Sequence, residues 1–193
     1  MKQETVLLAL LELLEKNGVD YFVTGSFASS LHGVPRMTQD ADVVVRASLK
    51  QLLELSRQIS DDFYVSEEAI HEAVEKERMF NIIHFREGFK FDLIPLKRNM
   101  FEQTQFDRRI GVKWEGKKIY FSSAEDIILA KLKWSVESDS DRQRRDAGGI
   151  IEVQGEKLDW KYLESWAAKL KLGPLLKKIK KRAEMAEGFL PRS

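Results

Sequence analysis

Two aspartates, Asp40 and Asp42, stand two residues apart at the start of a valine-rich run that is typical of a β-strand. Side chains two apart in a strand point to the same face, about 7 Å apart along the backbone. Two carboxylates held that close repel each other by roughly 2 kcal/mol at an effective dielectric constant near 20, and a bound divalent cation removes this cost. The spacing therefore indicates a hard-cation site, although the pair alone also fits a solvated strand end.

A third aspartate lies in another predicted strand, residues 89–96. There Asp92 alternates with Phe89 and Phe91, so the phenylalanines take the opposite face. We predict that Asp92 is a third ligand. Mg²⁺ prefers oxygen ligands from carboxylates and substrate phosphates, and two such ions can activate an attacking hydroxyl group while they stabilise a leaving pyrophosphate.

A glycine-serine pair, Gly25 and Ser26, lies between a predicted strand, residues 21–24, and a predicted short helix, residues 27–31. The backbone N–H groups at the start of such a helix and the serine hydroxyl can bind phosphate oxygens. An ordinary helix N-cap is the alternative for Ser26. Neither a Walker A motif nor a Gly-x-Gly-x-x-Gly fingerprint occurs, which argues against P-loop and Rossmann folds.

These residues follow one another in a fixed order: an apolar residue, Gly25 and Ser26, thirteen intervening residues, then Asp40-apolar-Asp42-apolar, and later Asp92. This order resembles the motif of the polymerase-β-like nucleotidyltransferase superfamily. The resemblance implies that the Gly-Ser turn holds the triphosphate of an NTP substrate and that the aspartates hold two Mg²⁺ ions. It also implies transfer of a nucleoside monophosphate to an acceptor hydroxyl group.

The residues just before Asp40 and Asp42 resemble those of one branch of this superfamily. The pattern Arg36-x-Thr38-x-Asp40-x-Asp42 resembles the branch that contains the abortive-infection toxin (AbiEii-like) nucleotidyltransferases. Arg36 and Thr38 are predicted to orient the carboxylates or to contact phosphate, with a salt bridge or a strand-end hydrogen bond as the alternative. Many members of the superfamily carry arginine after Gly-Ser, where this chain has Phe27, so we expect different triphosphate contacts.

Two charged residues interrupt apolar stripes of predicted helices. Lys131 does so in the helix over residues 124–136, and Asp146 in the helix over residues 141–153. A buried ion pair between the helices and a nucleotide-binding role both explain them. The surrounding sequence resembles the C-terminal motifs of the toxin-like branch, which implies that Lys131 neutralises charge on the triphosphate and that Asp146 belongs to the nucleotide site.

The composition limits the size of the core and the kinds of site that the chain can form. The 193 residues, of which 43% are hydrophobic, can bury one sizeable core and an appended helical unit. Lys and Arg number 32 against 31 Asp and Glu, so net charge gives no argument for a nucleic acid or a membrane. There is no cysteine, which excludes disulfides and thiolate metal sites.

The apolar run at residues 6–11 is flanked by glutamates and has no cleavage site, so we expect a cytoplasmic protein.

The periodicity predicts an α/β protein with the nucleotidyltransferase fold, a mixed β-sheet with flanking helices and a C-terminal helical bundle. A catalytic domain is predicted over residues 1–122, with a helical region over residues 123–193 packed on it. The predicted helices cover residues 3–17, 27–31, 49–59, 67–76, 124–136, 141–153, 159–171 and 174–186. The predicted strands are 21–24 and 41–46, together with hairpins at 79–96 and 109–121.

The leading hypothesis is a metal-dependent nucleotidyltransferase in which Asp40, Asp42 and Asp92 bind Mg²⁺ and Asp92 also acts as a general base. The acceptor (RNA, a protein or a small molecule such as an antibiotic) stays open, as do the identity of the NTP and a role as a toxin or defence component. A homodimer and a partner protein are both compatible with the sequence. A nucleotide- or partner-binding module without turnover is the second hypothesis.

Overall fold

The computed structural model describes residues 3–59 and 62–187. These residues form two compact units. One contains the described residues up to Ser26 together with Met37–Phe121, and the other contains Phe27–Arg36 together with the described residues from Ser122 onward. The second helix, α2 (Gly25–His32), crosses from the first unit to the second.

The first unit is built on a mixed sheet. Its strands within the described residues are β1 (Asp20–Thr24), β2 (Asp40–Arg46), β3 (Phe63–Val65), β4 (Phe80–His84), β5 (Phe89–Pro95), β6 (Ile110–Trp114) and β7 (Lys117–Phe121). They lie in the order β3-β4-β5-β2-β1-β7-β6. The β2–β5 and β1–β7 pairs are parallel, and the other neighbours are antiparallel. The same unit contains the helices α1 (Gln3–Lys16), α3 (Leu49–Gln58), α4 (Glu67–Glu75) and α5 (Met100–Asp107).

The valine run of β2 lies at the centre of this sheet, where both faces are covered. Val43 and Val45 are buried on one face, and Val44 packs on the other against Phe22 and Phe106. The rings of Phe22 and Phe106 meet edge to face with their centroids 5.7 Å apart. An uninterrupted apolar run is what a strand buried on both faces requires. The two aspartates at the start of β2 are therefore fixed to a rigid central strand.

The second unit is helical apart from its connections. Its further helices are α6 (Ala124–Glu137), α7 (Asp141–Gln154), α8 (Trp160–Lys169) and α9 (Gly173–Glu187). Ser123, Ser140 and Asp159 cap α6, α7 and α8 with their side chains. Gly33, just after α2, lies close against α7. A Cβ at Gly33 would meet the backbone of Gly149 and Ile150, so the close approach requires glycine.

The structure confirms the predicted fold class, with a mixed sheet and a C-terminal set of helices. The predicted helix over 159–171 is shorter than expected because Asp159 is its N-cap and Leu170 its C-cap. The short strand β3 and the helix α5 were not predicted. In the part of the chain that the structure describes, no helix combines the length and the apolar character needed to cross a membrane.

Candidate active site

The turn between β1 and α2 lies against the carboxylate of Asp42. Gly25 has a positive φ of 60°, and a Cβ at this position would overlap the carboxylate of Asp42. Glycine is therefore required twice, for its backbone conformation and for the close approach. Ser26 is buried in the first turn of α2, next to this contact.

The three aspartates lie on one face of the sheet, at neighbouring positions. Asp42 of β2 is the register partner of Asp92 on the parallel strand β5, and Asp40 is the partner of Lys90. Residues paired in register on adjacent strands point to the same face, and so do residues two apart on one strand. We call Asp40, Asp42 and Asp92 the carboxylate face. Asp92 is buried, whereas Asp40 and Asp42 are partly exposed.

Asp92 is held by two neighbours that the sequence analysis did not identify. Asn81 on β4, its register partner, donates a hydrogen bond from Nδ2 to Oδ1 of Asp92. The Nζ atom of Lys90 lies 3.0 Å from Oδ1 and 3.1 Å from Oδ2 of the same carboxylate. The hydrogen bond with Asp92 raises the pKa of Lys90, and the charges of Asp92, Asp40 and Asp42 act in the same direction. The ammonium group thus interacts with the whole carboxylate face.

Thr38 is in contact with the other end of this face. Its hydroxyl oxygen lies 2.7 Å from Oδ1 of Asp40 and donates a hydrogen bond to it, and it also lies 3.1 Å from the Asp40 carbonyl oxygen. The predicted alternative of a strand-end hydrogen bond is therefore present. A hydroxyl group in this position restricts the rotation of the Asp40 carboxylate.

The carboxylate face has the donor chemistry of a magnesium site. Its oxygens are hard ligands, the type that Mg²⁺ prefers, and the Lys90 ammonium is a cation already held by them. Across the described residues, no group of three or more His, Asp and Glu side chains is arranged to hold a metal ion. The oxygens of Asp92 interact instead with Lys90 and Asn81. Metal binding by Asp40, Asp42 and Asp92 stays a prediction.

The second unit brings together three further predicted site residues. Nζ of Lys131 lies 2.9 Å from Oδ2 of Asp146, and a terminal guanidinium nitrogen of Arg36 lies 3.3 Å from the same oxygen. The side chain of Lys131 is 6% exposed and that of Asp146 is 11% exposed. The ion pair that the sequence left open as an alternative is thus present between α6 and α7. Arg36, at 29% exposure, is the more accessible cation.

An open groove of about 700 Å³ adjoins this group within the second unit. Arg36 and Asp146 line it, together with Arg145 and Arg182 from α7 and α9. Within the described residues Arg145 and Arg182 make no ion pair. The groove therefore offers guanidinium groups to an anionic ligand, beside the carboxylates of Asp141, Asp146 and Glu152.

The predicted site residues fall into two sets. The first unit contains Gly25, Ser26, Thr38, Asp40, Asp42 and Asp92, and the second contains Arg36, Lys131 and Asp146.

No protein-family model matches this sequence. No curated protein matches it either.

Solved structures do match the fold. The crystal structure of ANT(2")-Ia in complex with adenylyl-2"-tobramycin is 14% identical in sequence, with a TM-score of 0.58, and the match covers 89% of this chain and 98% of that one. An antigenic nucleotidyltransferase-like protein from Paracoccidioides brasiliensis is 18% identical over 92% of this chain and 91% of its own, with a TM-score of 0.56. The lincomycin-bound lincosamide antibiotic adenylyltransferase LnuA is 17% identical over 78% of this chain and 98% of its own, with a TM-score of 0.54. The chain therefore has the nucleotidyltransferase fold.

Proposed function

We propose that the protein is an enzyme that transfers a nucleoside monophosphate from an NTP to an acceptor hydroxyl group, with Mg²⁺ bound at Asp40, Asp42 and Asp92. One observation carries the proposal. Asp42 and Asp92 are register partners on parallel strands, with Asp40 on the same face and the Gly25 turn against Asp42. A structural role alone does not explain three carboxylates in a row beside a strand-to-helix turn.

Each residue of the first unit has a distinct role in this proposal. The backbone N–H groups at Gly25 and Ser26, at the start of α2, bind phosphate oxygens of the NTP. Asp40 and Asp42 bind metal, and Thr38 orients Asp40 through its hydrogen bond. Asp92 is the third ligand and also accepts the proton of the acceptor hydroxyl group. When bound, Mg²⁺ lowers the pKa of the acceptor hydroxyl group and neutralises charge on the phosphates.

The reaction is a displacement at phosphorus. The acceptor oxygen forms a bond to the α-phosphorus, the bond from that phosphorus to the bridging oxygen breaks, and pyrophosphate leaves with the electron pair. The proton of the acceptor goes to Asp92. The rigid position of β2 and β5 in the sheet keeps the carboxylates in place during this step, which limits the reorganisation that the transition state requires.

Within the second unit, we propose that Arg36 and Lys131 form a phosphate-binding group whose two cations are held in place by Asp146. Asp146 holds both cations, and the three side chains together carry one excess positive charge. Arg36 is the more exposed of the two cations, so we assign direct phosphate contact to it first. Lys131 then contributes through its charge at short range, in a setting where burial reduces screening by water.

The acceptor is assigned only as a hydroxyl compound. The similarity to the structures that contain adenylyl-2"-tobramycin and lincomycin favours a small molecule as the first class to test. RNA and protein acceptors come next. Membership of the toxin-like branch, and with it a toxin or defence role, stays a prediction.

The direct experiment incubates the protein with Mg²⁺ and each of the four α-³²P-labelled NTPs. The acceptors are a panel of hydroxylated antibiotics, total cellular RNA and a protein extract. The Asp40→Asn, Asp42→Asn double variant is the control. We expect pyrophosphate release and a labelled product with the wild type, reduced at least about 10³-fold in the control. Equal labelling by both proteins would refute the proposal. NTP binding without pyrophosphate release from any acceptor would instead identify a binding module.

A further inference from the structure

Lys90 is a cation in direct contact with the carboxylate face. Its Nζ atom lies 3.0 Å and 3.1 Å from the two oxygens of Asp92, and its backbone position is in register with Asp40. Asp42 completes the row, as the register partner of Asp92. The ammonium group therefore interacts with the same oxygens of Asp92 that would ligate a metal ion.

The side chain of Lys90 can move away from Asp92. The side chain of Lys90 is 40% exposed, whereas that of Asp92 is 9% exposed. Lysine has a flexible four-carbon stem and a strongly hydrated ammonium group, so it can turn into water at little cost. Asp92 cannot follow, because it is buried and its Oδ1 accepts a hydrogen bond from Asn81.

We propose that Lys90 is the internal counter-cation of the carboxylate face and competes with divalent metal ions for Asp92. Without metal, its ammonium group reduces the repulsion among the three carboxylates. A metal ion that binds Asp92 displaces the ammonium group, so Lys90 weakens metal affinity and keeps the metal exchangeable. The inference rests on the proposed function to the extent that the carboxylate face binds metal.

The experiment measures Mn²⁺ binding by calorimetry in the absence of nucleotide, so it does not depend on activity. In Lys90→Met the competing charge is lost while most of the side-chain volume is kept. We expect Mn²⁺ to bind about tenfold more tightly to this variant than to the wild type. Lys90→Arg keeps the charge and should bind no more tightly than the wild type.

The matched control is Lys97→Met. It removes the same charge just beyond the other end of β5, where solvent screening weakens its effect on the carboxylates. We expect a change of less than about twofold at physiological ionic strength. A gain in Lys97→Met equal to that in Lys90→Met would show a general charge effect and overturn the proposal, and so would unchanged or weaker binding by Lys90→Met.

Thermal unfolding gives a second measurement. In EDTA, Lys90→Met should unfold at a lower temperature than the wild type because the carboxylates lose their counter-cation, and Mn²⁺ should raise its Tm more than that of the wild type. An equal Mn²⁺-induced rise in the two proteins would contradict the inference. If Lys90→Met does not fold, Lys90→Gln removes the charge and keeps a polar end.

Two patterns separate this inference from the proposed function. Tighter Mn²⁺ binding by Lys90→Met in a protein that shows no nucleotidyl transfer would support the inference and refute the enzyme. Equal Mn²⁺ binding by the wild type and by the Asp40→Asn, Asp42→Asn double variant would show that these aspartates do not bind metal. That result would refute both proposals.

Discussion

The main chain at Gly25 lies directly against the carboxylate of Asp42, with no room for a side chain between them. The strand-to-helix turn and the carboxylate face are therefore one structural unit, in which the position of the turn depends on the position of Asp42. Thr24, which precedes the turn, is also the register partner of Asp42 on the antiparallel strand β1.

Replacing Gly25 should cost more than its backbone conformation explains. Gly88 has nearly the same positive φ, 59°, but a Cβ there would meet nothing within 4 Å. We expect Gly88→Ala to lower the free energy of unfolding by about 1 kcal/mol through backbone strain. Gly25→Ala should cost about 1–3 kcal/mol more because of overpacking. Urea unfolding of both variants tests this, and equal losses would show that the contact with Asp42 gives way without cost.

Asn81 should affect the reaction more than the fold. It is exposed and donates a hydrogen bond to Asp92, so Asn81→Ala leaves the core intact but frees the carboxylate to rotate. We expect kcat for nucleotidyl transfer to fall about tenfold, with KM for the NTP changed less than about twofold. Steady-state kinetics give both constants, and an unchanged kcat would show that the hydrogen bond from Asn81 is not needed to orient Asp92. Asn17→Ala, far from the carboxylate face in sequence, serves as the control.

The buried pair Lys131–Asp146 should show strong coupling in a double-mutant cycle. Removing either partner leaves a charge with little access to water, so Lys131→Met and Asp146→Leu should each cost about 3–5 kcal/mol. The double variant should be more stable than the sum of the single losses predicts, because neither of the two least exposed charges remains and Arg36, the other partner of Asp146, is partly exposed. Urea unfolding gives the four free energies, and additive losses would contradict the pairing.

The same double variant separates structure from function. If Lys131 binds nucleotide phosphate and Asp146 holds it in place as proposed, the variant that regains stability will still bind NTP at least about tenfold more weakly than the wild type, which corresponds to about 1.4 kcal/mol. Wild-type affinity in a stable double variant would leave these residues with the structural role alone.

Stability should fall in mild acid because of His32. Burial lowers the pKa of this histidine, whose Nε2–H donates a hydrogen bond to the carbonyl oxygen of Ser122. In the unfolded chain the imidazole binds a proton near pH 6.5, while the folded protein keeps it neutral. The contribution to stability is therefore complete above pH 6.5 and is lost as the pH falls below it, by up to about 1.4 kcal/mol per pH unit until the folded pKa is reached.

Unfolding of wild type and His32→Gln between pH 8 and pH 5 measures this effect. The difference in unfolding free energy between the two proteins should shrink as the pH falls below 6.5. The exposed His71 provides the control, because His71→Gln removes a histidine but keeps the buried His32 and should show the same loss in acid as the wild type. A constant difference between His32→Gln and the wild type would refute the assignment.

Most of the fold follows from local patterns in the sequence. The valine run identified β2 because a strand buried on both faces needs continuous apolar residues, and helical periodicity located the helices of the second unit. Helix α5 was not predicted because its segment, residues 100–107, has no regular apolar stripe. It forms where Asn99 caps it and where Phe106 packs on Phe22, a contact that sequence spacing does not reveal.

The same limit applies to the candidate site. Strand periodicity predicts that Asp40 and Asp42 share a face, but it does not predict which strands are neighbours. The pairing of β2 with β5 places Asp92 next to Asp42 and makes Lys90 and Asn81 part of the site. A lysine two residues from an aspartate on a strand is common on solvent-exposed strands, so nothing in the sequence alone distinguished Lys90.

The division of the chain between the two units restricts how they can be separated. The chain enters the second unit after Ser26, returns at Met37 and enters it again at Ser122. A fragment that ends at Phe121 would contain the first unit but would also carry residues 27–36 without the helices on which they pack, including α7 at Gly149 and Ile150. No single cut yields two intact units. An exchange of the helical unit between relatives would need two coordinated replacements, so any change of acceptor by recombination must preserve both segments together.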